Sequence, residues 1–193
     1  MALTPAAQAR LYKIWQTQQP PAQVKLTEDD YTSLALALAV RDYPAPQPIL
    51  AQELARIKNV DRRQRLEFLT PALSPEVAVR DQFFAALKQE KNREKEAWVA
   101  TALGYLHHPL RQATSEKYLP ESLELLAEIQ ATGDIFFPAA WLSGTLGYYQ
   151  SATAASTVRA FLAAHPAGTY NPQLRMKLLQ AADDLFRAQK FTL

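Results

Sequence analysis

Residues 92–111, NREKEAWVATALGYLHHPLR, carry the clearest helical pattern in this chain. Val99, Leu103 and Leu106 recur three or four residues apart, which places their side chains on one side of an α-helix. Pro109 ends the pattern because it lacks the N–H that a continuing helix needs. The stretch therefore predicts an amphipathic helix whose apolar side must be covered by a neighbouring element.

The same apolar spacing recurs on both sides of this stretch, and strand patterns are nearly absent. Helix starts are marked by side chains that can accept a hydrogen bond from the first backbone N–H groups, in several cases directly before a proline. These expected caps are Thr4, Thr27, Ser74, Asn92, Asp134 and Asn171. The predicted helices cover residues 5–18, 28–42, 48–58, 61–70, 75–89, 93–106, 110–131 with a break near Pro120, 135–147, 152–165 and 172–188.

The short connections between these helices predict antiparallel neighbours. We therefore expect an all-α fold: a right-handed α-α superhelix, that is, a HEAT- or armadillo-like solenoid of antiparallel helical hairpins. No abrupt change of composition marks a linker, so residues 1–193 are expected to form a single helical-repeat domain. Two interpretations of residues 1–25 stay open: a linker followed by the first helix, or a full part of the repeat.

Composition excludes several classes of protein. The chain has no cysteine, which rules out disulfides and thiolate zinc sites, and a formal net charge of only +2. Residues 1–19 lack the pattern of a signal peptide, and no run approaches about 18 uninterrupted apolar residues, so no membrane span is expected. The sequence is compatible with a cytoplasmic protein and with an exported one.

Catalytic motifs are missing from the sequence. His107, His108 and His165 are the only histidines, and none belongs to a His-Glu-x-x-His pattern. Adjacent histidines on a helix point about 100° apart, so His107 and His108 are not expected to bind one ion. No phosphate loop or nucleophile elbow is present either. We expect no catalytic residue, no metal ligand and no cofactor in this chain.

One cluster of basic residues favours a different function. It consists of Arg56, Lys58, Arg62, Arg63 and Arg65. Helical-repeat proteins can bind a nucleic-acid backbone through such a patch. Interleaved aromatic residues are lacking and the rest of the chain is not basic, so the cluster is interpreted as a solvated corner and no nucleic-acid partner is expected.

Long stretches of the chain resemble a known family. Residues 62–88, RRQRLEFLTPALSPEVAVRDQFFAALK, residues 92–111 and residues 116–142, EKYLPESLELLAEIQATGDIFFPAAWL, are similar to the C-terminal helical domain of zinc aminopeptidases of the aminopeptidase N family. The resemblance runs from about Leu26 to the final helix. The family's zinc ligands and its amine-binding Gly-x-Met-Glu-Asn strand have no counterpart here.

The resemblance implies a non-catalytic role in a zinc-dependent parent enzyme that removes N-terminal residues from peptides. The domain would cap the active-site cleft and shape peptide access, with the catalytic domain of the same polypeptide and the peptide substrate as partners. Residues expected to line the peptide cavity or the interdomain surface are Arg80, His107, His108, Arg111, Lys117, Phe136 and Trp141. The alternative function is a free-standing helical-repeat scaffold that binds a protein or a nucleic acid.

Overall fold

The computed structural model describes residues 4–191, and every regular element in this range is helical, which confirms the all-α class. The α-helices are α1 (Pro5–Thr17), α2 (Glu28–Ala39), α3 (Pro46–Arg56), α4 (Val60–Leu73), α5 (Val77–Leu87), α6 (Glu96–Leu106), α7 (Gln112–Ser115), α8 (Leu119–Glu124), α9 (Leu126–Thr132), α10 (Phe137–Leu146), α11 (Ala152–Ala164), α12 (Pro172–Ala181) and α13 (Asp183–Phe191). None of the helices in this range combines the length and the apolar character that crossing a bilayer would require.

Three of the predicted caps are confirmed in full. The hydroxyls of Thr4 and Thr27 accept hydrogen bonds from the N–H groups three residues later, and Asn171 Oδ1 accepts from Leu174 N at 3.2 Å. Thr27 and Asp30 form a reciprocal capping box, which satisfies donors that the first turn cannot pair internally.

Other boundary predictions are wrong. Asn92 does not cap α6, because its side-chain amide donates to the carbonyl of Ala86 at 2.8 Å and the helix begins only at Glu96. The region expected over 110–131, with one break near Pro120, contains α7, α8 and α9; α8 begins at Leu119, beside the expected break, and the further break between α8 and α9 was not predicted. The last predicted helix divides at Ala182 into α12 and α13. The division at Ala182 lies in a stretch without glycine or proline, so the sequence pattern carries no break there.

The described chain divides into two compact units, the first ending at Arg80 and the second beginning at Asp81. The single repeat domain expected over residues 1–193 stays a prediction. In the first unit, α1 packs on α2, α2 on α3 and α3 on α4. Trp15, Ala35, Leu38 and Ile49 form a buried core between the first three helices.

A buried carboxylate joins the helices of the first unit. Glu53 is 1% exposed and accepts a hydrogen bond from the Trp15 indole N–H at 2.8 Å and another from the Thr32 hydroxyl at 2.9 Å. Arg56 donates to the carbonyls of Trp15 and Gln16, at the end of α1. Because these groups come from three helices, they fix how α1 lies against α2 and α3.

Several residues of the basic cluster form ion pairs or hydrogen bonds within the first unit. Arg62 pairs with Glu28 and Asp29 at 2.9 and 3.0 Å, and Arg63 donates to the carbonyl of Ile57. Together with Arg56, these guanidinium groups serve helix ends and helix contacts.

In the second unit, α10 occupies a central position and contacts α6, α8, α9 and α12. Gly144 permits a close approach of α6, since a Cβ added there would lie 2.9 Å from Leu103 Cβ and 3.1 Å from the carbonyl oxygen of Ala100. Leu103 and Trp141 are fully buried. A second set of contacts joins α8 to α11 and α11 to α13.

Candidate functional site

The structure separates the residues expected on a cavity or interdomain surface. Arg80 belongs to the first unit and is 1% exposed. Its guanidinium donates to the carbonyls of Ser74 and Pro75, at 2.5 and 2.9 Å, and so closes the turn that precedes α5. The remaining six residues lie in the second unit, where they occupy different surroundings.

His107 is fully buried at the C-terminal end of α6. Its Nδ1 atom lies 2.9 Å from the hydroxyl of Tyr149, in the segment that follows α10. Burial lowers the pKa of His107 to about 3, because the interior disfavours the charged imidazolium. Burial also raises the pKa of Tyr149, with a further contribution from the nearby charge of Glu116. This pair is packed inside the unit and does not lie on a surface, which differs from the expectation for His107.

His108 and Arg111 form the turn between α6 and α7 and are largely buried. The Nδ1 atom of His108 accepts a hydrogen bond from the Leu110 N–H at 3.2 Å, and its ring centroid lies 6.2 Å from that of Tyr148. The His108 side chain therefore stabilises the turn, and the expected contact of both residues with a peptide stays a prediction.

Lys117 is exposed and forms an ion pair with Asp81 at 2.6 Å, while its ammonium lies 5.3 Å from the ring centroid of Tyr118. Trp141 is fully buried, and its indole N–H donates to the carbonyl of Ser122 at 3.0 Å. The expectation that Trp141 lies on a surface is therefore not met. The carbonyl of Ser122 on α8 provides the acceptor that the buried indole N–H needs.

Phe136 is the predicted residue that the structure leaves most exposed, at 76%. It lies at the mouth of a groove between the start of α10 and one side of α12, with a volume of about 370 Å³. We call this feature the α10–α12 groove. It is lined by Ile135, Phe136, Ala139, Gln173, Met176, Lys177 and Gln180. Ile135 and Met176 are 70% and 67% exposed, so large apolar side chains from two elements meet at one surface.

The start of α10 is held by specific hydrogen bonds. Asp134 Oδ1 accepts from the N–H groups of Phe136 and Phe137 at 2.6 and 2.9 Å, and these bonds hold the pKa of Asp134 below its usual value. The N–H of Asp134 donates to Glu96 Oε1 at 2.9 Å. Lys177 reaches across from α12 and donates to the carbonyl of Ile135 at 3.0 Å. The exposed apolar side chains therefore project from a fixed backbone.

A second concave feature, the Tyr148 cavity, has a volume of about 580 Å³. It is lined by Pro109, Gln112, Gly147, Tyr148, Tyr149, Gln150, Asp184 and Ala188. The sequence analysis did not identify this cavity, whose walls come from three separate parts of the chain.

Sequence reasoning also missed the α12 side of the groove. The apolar row of α12, which includes Leu174 and Leu178, is buried in the structure. Met176 lies outside this row. A large apolar residue on the side of a helix that does not face the core was the sequence feature that could have predicted the groove.

The residues in the range 4–191 provide no group of three His, Asp or Glu side chains placed to hold a metal ion. Each histidine has different surroundings: His107 is bonded to Tyr149, His108 caps a turn, and His165 stacks on Phe161 with 4.1 Å between ring centroids. Comparison with known protein families, curated proteins and solved structures finds no match for this chain.

Proposed function

We propose that this chain is a non-catalytic helical domain that docks onto the catalytic domain of a zinc aminopeptidase, in the same polypeptide, through the α10–α12 groove. By docking there it closes the active-site cleft and limits which peptides enter. The observation that carries the proposal is the exposure of Ile135, Phe136 and Met176 at one groove. A soluble protein rarely leaves large apolar side chains together on its surface unless another surface covers them.

The identity of the docking partner rests on the resemblance of the sequence to aminopeptidase C-terminal domains. One of the similar segments, residues 116–142, includes Ile135 and Phe136, which line the groove. The histidines of this chain do not fit a zinc site, so the zinc and the water it activates belong to the partner domain. The contribution of this chain is then positional: it presents a rigid apolar surface.

We further propose that the helices of the second unit form part of an α-α solenoid. The contacts from α6 to α10 to α12 and from α8 to α11 to α13 support this, because alternating helices that contact in two rows are characteristic of stacked helical hairpins. Such an array can present a curved binding surface, which suits closure over a cleft.

Binding of the chain to a separately produced zinc aminopeptidase catalytic domain tests the docking proposal. Isothermal titration calorimetry with the unaltered chain should give saturable binding. The double variant Phe136→Ser/Met176→Ser should weaken it by at least about tenfold, because side chains at the centre of an apolar interface carry much of the affinity. Leu110→Ser is the matched control, since Leu110 is also exposed, at 58%, but does not line the groove.

Equal loss of binding in the groove variant and in the Leu110 control would contradict the proposed surface. If the unaltered chain does not bind the zinc domain at all, the aminopeptidase proposal is wrong, and a free-standing scaffold that binds another protein through the same groove would be favoured.

A further inference from the structure

The Tyr148 cavity lies outside the α10–α12 groove and shares no lining residue with it. We propose that this cavity binds an organic cation of the class of an arginine or lysine side chain or a primary amine. The proposed contacts are the carboxylate of Asp184 and the ring of Tyr148. This inference is independent of the aminopeptidase proposal, because it concerns the recognition of a small charged group by the chain itself.

The charge of the cavity favours a cation. Asp184 is the one lining residue with a formal charge, and its side chain makes no hydrogen bond or ion pair with another residue in the range 4–190. The neighbouring carboxylate differs, since Asp183 is paired with Arg187 at 2.7 Å. Glu116 adds negative charge close to Tyr149, whose pKa it helps to raise. Among the residues that the structure describes, no lysine, arginine or histidine lines the cavity.

An exposed aromatic ring complements this carboxylate. Tyr148 is 49% exposed although its chain neighbour Tyr149 is buried. The face of an aromatic ring attracts a cation, most strongly a guanidinium or ammonium that is partly removed from water. A ring and a carboxylate in one cavity are the two groups that recognise such cations, by cation–π contact and by a charge-assisted hydrogen bond.

The backbone that presents Tyr148 is held at three successive residues. Gln112 donates to the carbonyl of Tyr148 at 2.6 Å, the hydroxyl of Tyr149 bonds with His107, and Gln189 donates to the carbonyl of Gln150 at 2.6 Å. These contacts come from α7, from the residue that follows α6, and from α13. The cavity is therefore formed before a ligand arrives, so binding requires little reordering of the chain.

NMR titration of the full chain with Nα-acetyl-L-arginine amide tests the site. We expect saturable shifts confined to backbone amides of residues 147–150 and the first turn of α13, with a Kd in the millimolar range, about 1–10 mM, as two exposed contacts would give. Nα-acetyl-L-citrulline amide has nearly the same shape without the charge and should not bind measurably. Glycine amide carries a cationic α-amine and no side chain. Its titration therefore distinguishes binding of an α-amine from binding of a side-chain cation.

Asp184→Asn should weaken binding of the arginine derivative about three- to fivefold, and Tyr148→Leu should have an effect of similar size. Asp183→Asn is the matched control and should leave the Kd unchanged. Equal binding of the citrulline and arginine derivatives would overturn the proposal, as would equal effects of the two aspartate substitutions. Both aspartates are exposed, so neither variant is expected to lose its fold.

Discussion

His107 Nδ1 and the hydroxyl oxygen of Tyr149 lie 2.9 Å apart inside the second unit, where they join the end of α6 to the segment that follows α10. His107 is fully buried and Tyr149 is 2% exposed. A buried imidazole bonded to a phenol hydroxyl is favoured in its neutral form, since protonation would place a charge in the interior without a counter-charge beside it. The stability of the fold is therefore expected to depend on pH through this residue.

Stability should fall as the pH falls from 6.5 toward 3. In the folded chain the pKa of His107 is lowered from 6.5 to about 3, so in this interval the unfolded chain binds a proton that the folded chain does not. Stabilisation from neutral burial is fully present above pH 6.5 and decreases by about 1.4 kcal/mol per pH unit below it. Urea unfolding at pH 7 and pH 5 should thus differ by about 2 kcal/mol from this group.

His107→Gln provides the reference for that measurement, because glutamine retains a polar group and does not titrate. The variant should show a smaller loss of stability between pH 7 and pH 5 than the unaltered chain. The same loss in both chains would mean that other groups cause the pH dependence.

Phe136 and Phe137 are adjacent and chemically identical, but we expect opposite results from their substitution. Phe137→Ala should cost about 3–5 kcal/mol, because Phe137 is 3% exposed and its removal leaves a cavity. Phe136→Ala should change stability by less than about 0.5 kcal/mol, since this ring is mostly in solvent. Urea unfolding of the two variants measures the difference. Similar costs would show that Phe136 is part of the core and would remove the basis for the docking surface.

Two glycines of the second unit form another matched pair. Gly104 lies within α6, and a Cβ added there meets nothing within 4 Å, so Gly104→Ala should stabilise the helix by up to about 1 kcal/mol. Gly144→Ala should instead destabilise by about 1–3 kcal/mol, because the added methyl group would meet Leu103 Cβ at 2.9 Å. Thermal unfolding should move the two midpoints in opposite directions. A stabilising effect of Gly144→Ala would contradict the close packing of α6 on α10.

In the first unit, Glu53→Ala should be strongly destabilising although it replaces a charged residue by a good helix former. It leaves the Trp15 indole N–H and the Thr32 hydroxyl without their buried acceptor, at a cost of about 2–4 kcal/mol. Glu67→Ala, at an exposed position of α4, is the control and should stay within about 0.5 kcal/mol of the unaltered chain. Urea unfolding followed by circular dichroism measures both variants. A cost no larger than the control's would show that Glu53 does not hold α1 in place.

The purified chain should bind no stoichiometric zinc and should not hydrolyse amino-acid anilides. Its three histidines have separate surroundings, and zinc sites need several ligands that converge on one point. Metal analysis after dialysis and an anilide assay measure both outcomes. One tightly held zinc per chain would overturn the assignment of the metal to a partner domain.

The helical class could be predicted because its signals are local. The apolar spacing around Leu103 and the caps at Thr4, Thr27 and Asn171 involve residues within one or two turns of each other. Breaks such as the one at Ala182 could not be predicted, since neither glycine nor proline marks them. Of the expected surface residues, Phe136 is exposed, whereas His107 and Trp141 are buried by helices from other parts of the chain.

The sequence alone therefore established which segments are helical and that they carry no metallopeptidase motif, because helix formation and motif spacing are properties of neighbouring residues. Only the tertiary structure decided which apolar residues lie inside. Phe137 is buried and Phe136 is exposed because the Asp134 cap fixes the start of α10 and packing orients the rest of the helix. Met176 joins Phe136 at one groove only because α12 packs on α10, and no pattern in the sequence records that contact.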